Sequence, residues 1–177
     1  VPIENASVDP VAAAGSVWSS VSDMSKWLRF LLAGGVAGDG ARLLKQETVD
    51  ELFRPQAFVT PAGFYPSQRL TKPHWMTYGL GWFQQDYRGE KVDFHTGSID
   101  GMVAIAGLLR DRGVGVYVLA NRDHVELRHA LMLRAFDAYL GGEPRDWSAE
   151  LKAIYDASAA AADSAQARRV AARRKTT

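Results

Sequence analysis

The amino-acid sequence predicts an α+β fold: an antiparallel sheet of about four strands, flanked by an N-terminal helical segment and a C-terminal helix. Two observations predict the class. Apolar residues recur at helical spacing before residue 54 and after residue 124; between them, over 78–120, they fall into short alternating or wholly apolar runs punctuated by glycine turns. A third observation bounds the size. With 177 residues, 47% hydrophobic and 23% charged, the chain is long and apolar enough for one globular core.

Residues 1–15, rich in Pro, Ala and Asp, read as irregular, with a turn at Gly15. Val1-Pro2-Ile3-Glu4-Asn5 lacks the basic and apolar regions of a signal peptide, so the sequence reads as if it opened inside something longer. Ser20-Val21-Ser22-Asp23 fits a capping box, with Ser20 accepting from the Asp23 amide and the Asp23 carboxylate reaching back to the Ser20 amide. The helix it starts carries Val21, Met24, Trp27, Leu28, Leu31 and Leu32 on one stripe and stops at Gly34-Gly35. A second short helix is expected over Gln46 to Phe53, closing a helical segment of 20–53 before Pro55. The glycine clusters here are turns rather than phosphate loops, because no strand precedes them and neither phosphate-binding glycine motif is present.

Residues 54–76 read as a loop in which Pro55, Pro61, Pro66 and Pro73 alternate with aromatic residues, an ordered rim or lid. From Tyr78 to Tyr87, a turn at Arg88-Gly89-Glu90, and Lys91 to His95 make a hairpin; Met102 to Leu109 is a third strand. Val114 to Ala120, apolar at successive positions, is expected inside a sheet covered on both faces. A packing helix over 124–140 then carries Val125, Leu127, Leu131, Leu133, Phe136 and Leu140, and Gly141-Gly142 end it. Trp147, Leu151, Ile154 and Tyr155 supply packing for a last helical stretch, so 1–156 is expected as the domain and 157–177 as an Ala/Arg-rich helical tail or linker. Its five basic residues have no interleaved aromatics and read as a solvated helix end.

The net charge of +1 provides no field for nucleic acid or an anionic membrane, and no apolar run approaches the length of a membrane span. The absence of cysteine removes thiol nucleophiles, disulfides and thiolate metal sites, and leaves the redox compartment open. His74, His95, His124 and His129 do not fall at ligand spacing, so neither a metal nor another cofactor is expected. A Ser-His-Asp triad on His95 with Asp93 or Asp100 lacks the serine elbow it would need.

His95-Thr96-Gly97 at the end of the hairpin offers a ring, a hydroxyl and close backbone approach to a ligand. Taken in order, Ala14-Gly15-Ser16-Val17-Trp18-Ser19, Asp23-Met24, Trp27-Leu28, Leu43-Leu44, Tyr78-Gly79-Leu80-Gly81-Trp82, His95-Thr96-Gly97, Gly101-Met102 and Val114 to Asn121 resemble one family. It is the C-terminal half of the serine β-lactamase and penicillin-binding-protein-like hydrolases, in their class C β-lactamase and esterase branch. The resemblance implies a partial β-lactamase/transpeptidase-like fold in which His95, Thr96, Gly97 and Ser98 form the catalytic wall. Ser98 would donate the oxyanion-hole amide, Thr96, Ser98, Asp100 and Tyr78 would meet substrate, and His95 would orient the hydrogen-bond network.

The sequence departs from the family pattern in having no Ser-x-x-Lys and no Tyr-x-Asn; Tyr65-Pro66-Ser67 fits Tyr-x-Ser but lies too near His95. Without that serine, no acyl-enzyme forms on this chain alone. The expectation is therefore a C-terminal segment of a β-lactamase, D-alanyl peptidase or esterase-like hydrolase, inactive by itself, that acts on a small ester, amide or peptide. The implied partner is a missing N-terminal half or complementing chain, or a second copy joined through strand 114–120, whose outer edge the family topology would leave open. A periplasmic or secreted setting is implied by the resemblance alone. The alternative is a non-catalytic binding or interaction module that keeps the fold remnant.

Overall fold

The computed structural model describes residues 7–99, 101–122 and 126–174. One fully antiparallel six-stranded sheet, in the order β1-β2-β3-β4-β5-β6, organises it: β1 Ala57–Phe58, β2 Met76–Tyr78, β3 Phe83–Tyr87, β4 Glu90–Ile99, β5 Met102–Leu109 and β6 Val114–Ala120. The α+β class is as expected, but the sheet has two more strands than the sequence indicated. β1 lies in the proline-rich stretch read as loop, and β2 spans the end of that stretch and Tyr78, the first residue of the hairpin run; at two and three residues they are too short for alternation to register. The same stretch also holds a helical turn, α4 Gln68–Thr71.

Short turns fix the meander. Arg88 and Gly89 join β3 to β4 with φ of 53° and 79°, the two positive dihedrals of a type I′ hairpin, which matches the right-handed twist of the flanking strands. Among the described residues β6 is an edge strand rather than an internal one, while both its faces are covered. Its apolar run reflects that two-sided cover, by α2 on one face and α5 on the other, and not a neighbour on each edge.

Residues 9–15 form a 3-10 turn and one turn of helix, α1 Ala12–Gly15, in place of the irregular start expected. α2 Val21–Leu32 begins at Ser20, whose hydroxyl accepts from the Asp23 amide at 3.1 Å. The reciprocal half of the expected capping box is different: the Asp23 carboxylate takes the Ser20 hydroxyl and Lys26 Nζ instead of the Ser20 amide. Leu28 and Leu31 are buried, whereas Val21 and Trp27 at the stripe's margin stay exposed. α3 Gln46–Leu52 follows, with Val49 buried.

The molecule is thus three layers, with a core on each side of the sheet. On one side Leu28, Leu31, Val49, Phe53, Trp82 and Leu108 join α2 and α3 to the sheet. On the other, Val92, Phe94 and Ile105 meet Leu133 and Phe136 of α5 Leu127–Leu140 and Trp147 and Leu151 of α6 Trp147–Arg174. Each such large apolar side chain, fully buried, contributes about 1.5–3 kcal/mol. The predicted start of the packing helix, including His124 and Val125, lies outside the described residues.

Two buried polar networks lock these layers. Asp137 of α5 accepts from Tyr87 Oη at 2.5 Å and Trp147 Nε1 at 2.6 Å, and pairs with Arg88 Nε at 3.1 Å, tying the hairpin to both helices. Burial first, and then the bond to Asp137, pushes the Tyr87 phenol up to about 12. Across the sheet, Asp93 accepts from Gln84 Nε2 and Arg110 Nε at 2.8 Å each, while Gln84 also donates to the Phe53 carbonyl. α6 continues through residue 156 without a break. Beyond its first turns it is almost entirely exposed, held by alanine's helix propensity and pairs such as Lys152–Asp156.

Candidate functional site

β4 is ten residues long, but its two neighbours overlap it unequally. β3 pairs with Glu90 to Phe94 only, whereas β5 pairs with Asp93 to Ile99. Among the described residues, His95 to Ile99 therefore form a strand tip with one strand neighbour and one free edge. Along that edge the backbone groups of alternate residues have no strand partner among the described residues and can serve an extended ligand.

Side chains alternate along the tip. Val92, Phe94 and Thr96 are buried, and His95, Gly97 and Ser98 are exposed. His95 lies near the expected Tyr78, with ring centroids 6.2 Å apart, and stacks on Phe83 at 5.9 Å and 22°. The ring keeps a solvent-exposed side, yet burial against these aromatics holds the imidazole below its ordinary pKa and favours the neutral form near pH 7. At Gly97 an added Cβ would meet nothing within 4 Å, so a ligand can lie flat against the strand. Asp100 lies outside the described residues.

Thr96 lies on the strand tip, but its hydroxyl is directed at the scaffold. It donates to the Ala104 carbonyl of β5 at 2.8 Å and accepts from Arg128 Nε at 2.5 Å, and the residue is 6% exposed. The hydroxyl expected to contact substrate thus has its proton and one lone pair committed to the scaffold. Asp93 shares no bond with His95; it is committed to Arg110 and Gln84, which removes it from a triad.

Behind the tip, the start of α5 places three ionisable residues together. His129 is fully buried, with Nδ1 2.8 Å from Glu126 Oε2 but out of line for a hydrogen bond. Burial holds its imidazole below the ordinary histidine range against the opposing pull of Glu126. Tyr65, from the proline-rich segment, packs on His129, Phe83 and Phe94 with centroids 5.1, 5.6 and 6.2 Å away. Ser67, which completes the Tyr-x-Ser match, is 2% exposed and out of reach of any ligand.

Sequence reasoning did not assign Arg128, Tyr65, Glu126 or His129 to the site. The one signal was an arginine beside a histidine in the first turn of a helix otherwise read by its apolar side. A further pair on the rim was equally unmarked: His74 Nδ1 lies 2.6 Å from Asp86 Oδ2, whose other oxygen accepts from the backbone amides of His74 and Trp75. That carboxylate sits below its ordinary pKa because its bonds to His74 and Trp75 outweigh burial, individually the largest influence and opposite in sign.

The Beta-lactamase family model matches residues 2–139. An unguisins hydrolase, ungD, from Aspergillus violaceofuscus is 28% identical over 119 residues, which is 63% of this chain and 20% of that protein. Among solved structures, the octameric penicillin-binding protein homologue from Pyrococcus abyssi superposes with a TM-score of 0.57 at 22% identity, over 77% of this chain and 27% of that one. The latter likeness is one of fold. The chain thus spans about a fifth to a quarter of the length of the relatives it matches.

Proposed function

Because the chain belongs to the beta-lactamase family, we propose that it supplies the substrate-facing wall of a serine hydrolase of the β-lactamase, D-alanyl peptidase or esterase kind, with the nucleophile on a segment outside this sequence. The free edge of β4 over His95 to Ile99, beside exposed Gly97 and Ser98, carries this reading. A serine hydroxyl adds to the substrate carbonyl, the alcohol or amine leaves, and water then releases the acid. The Ser98 amide steadies the oxyanion in both steps, a contribution of about 3 kcal/mol for one well-aimed donor. Tyr78 borders the substrate, His95 orients the surrounding hydrogen bonds, and Thr96 contributes backbone and strand position. A neutral His95 provides no fixed positive charge, so neutral acyl groups of esters, amides or peptides suit the site better than a carboxylate-bearing ring.

A burst assay with a chromogenic ester or nitrocefin tests this division of labour. The isolated polypeptide should be silent and should turn substrate over once the upstream segment is supplied. Sustained turnover by this polypeptide alone would overturn the proposal; silence even after complementation would favour a binding module.

For the complementing segment we propose edge strand β6. Val114, Val116 and Val118 of edge strand β6 are half-buried, and at the Val114 end of the strand opens a cavity of about 500 Å³ lined by Val21, Leu28, Val114, Gly115, Tyr117 and Tyr139. An apolar strand edge recruits another strand, so a complementing chain or a second copy adds there. Native mass spectrometry with hydrogen exchange should find a complex and slow β6 amides; a lone monomer with fast β6 amides would count against it.

A further inference from the structure

We infer that Arg128 is a positioning residue for the substrate-facing tip of β4, acting from behind the strand through the Thr96 hydroxyl. The inference rests on reading His95 to Ser98 as the substrate wall.

Its basis is the direction of two hydrogen bonds. A guanidinium has five donors and no acceptor, so the 2.5 Å contact can only run from Arg128 Nε to Thr96 Oγ1. The single hydroxyl proton of Thr96 is then committed to the Ala104 carbonyl, 2.8 Å away on β5. One oxygen thus joins helix α5, strand β4 and strand β5.

The tip needs such a tie. With β5 as its one neighbour, the segment from His95 to Ile99 has half the strand pairing of Asp93 and Phe94, and singly paired strand ends open at low cost. α5 is a firm anchor, because Leu133 and Phe136 are buried in the core and Asp137 is bonded to Tyr87 and Trp147. Arg128 itself is 6% exposed, so its end of the tie is shielded from competing water. An oxyanion donor works only if its amide is held in place, and a displacement of about 1 Å costs up to about a hundredfold in rate.

Backbone hydrogen exchange on the full chain, read residue by residue, tests the tie without requiring turnover. Arg128→Met and Thr96→Val should each speed exchange, by about tenfold or more, of those amides in the 96–99 segment that are bonded to β5, the scale of one hydrogen bond to a charged group. The double variant should go no further than either single one. Thr96→Ser, which keeps the hydroxyl, should behave as the parent, and Arg128→Lys should fall between. The inference is overturned if tip exchange is unchanged, if exchange rises equally across the sheet, if the two changes add, or if Thr96→Ser is as disruptive as Thr96→Val. Should Arg128→Met fail to fold, Thr96→Val and Arg128→Lys carry the same comparison.

In the complemented hydrolase, both disruptive variants should lower kcat/KM by about tenfold to a hundredfold, mainly through kcat. Absence of turnover in every variant would remove the hydrolase reading and leave the exchange result standing. Unchanged exchange would remove the tie and leave the hydrolase reading standing.

Discussion

The two halves of β4 are one continuous strand under opposite constraints. Glu90 to Phe94 is paired with β3 along its length, Val92, Asp93 and Phe94 are almost fully buried, and Asp93 is held by Gln84 and Arg110. His95 to Ile99 has one strand neighbour and exposes His95, Gly97 and Ser98. The first half stabilises the fold; the second extends past β3 and carries the proposed substrate wall. Changes in the two halves should therefore be read out by different experiments.

The largest effect is expected at Asp93. Asp93→Ala leaves Arg110 without its carboxylate and Gln84 with one acceptor fewer, at a position 1% exposed. Breaking a buried pair from one side costs about 3–5 kcal/mol, and the lower end applies because Arg110 is 26% exposed and can turn to water. Urea denaturation should show a loss of about 3 kcal/mol. A loss below about 1 kcal/mol would mean that the paired half of β4 is no more structural than the tip.

This division also marks what could be read from the sequence. The hairpin was legible because Val92 and Phe94 alternate with Lys91, Asp93 and His95, and Arg88-Gly89 can take the dihedrals of a tight turn. His95-Thr96-Gly97 was legible as a motif on the hairpin arm. Its depth was not, because burial of Thr96 and contact with Arg128 depend on how α5 crosses the sheet, and no spacing encodes a partner 32 residues away. β1 and β2 were hidden for another reason: Ala57–Phe58 and Met76–Tyr78 are too short to show a period. Gly107 was similarly unmarked, although an added Cβ there would lie 2.4 Å from Met132 Sδ, a packing constraint visible only across layers.

A smaller effect separates the histidine behind the tip from the one on it. Both are held below the ordinary histidine pKa by burial, so the unfolded chain takes up a proton more readily than the folded one. Their stabilisation is fully present above about pH 6.5 and is lost as pH falls below that value through the folded pKa, by at most about 1.4 kcal/mol per pH unit for each proton. Burial is the largest single influence on Glu126 and raises its pKa, but His129 and Arg128 together outweigh it and hold the carboxyl low, so it acts only at more acidic pH. Urea midpoints measured between pH 7.5 and 5.5 should fall, and His129→Phe should flatten that fall more than His95→Gln, because His129 is fully buried and His95 is not. An equal effect of the two would erase the distinction between the tip's two sides.

The smallest effect on stability, and the sharpest division between stability and function, is expected at Gly97. A methyl group there meets nothing within 4 Å and the backbone keeps its extended conformation, so Gly97→Ala should move the unfolding midpoint by no more than about 0.5 kcal/mol. The same methyl stands where a ligand would lie against the free edge. In the complemented enzyme it should raise KM for a chromogenic ester by about tenfold or more, the cost of forcing an acyl group off a surface it must approach closely. Unaltered KM with unaltered stability would show that substrate does not use this face of the strand, and the candidate site would then have to be sought along another edge of the sheet.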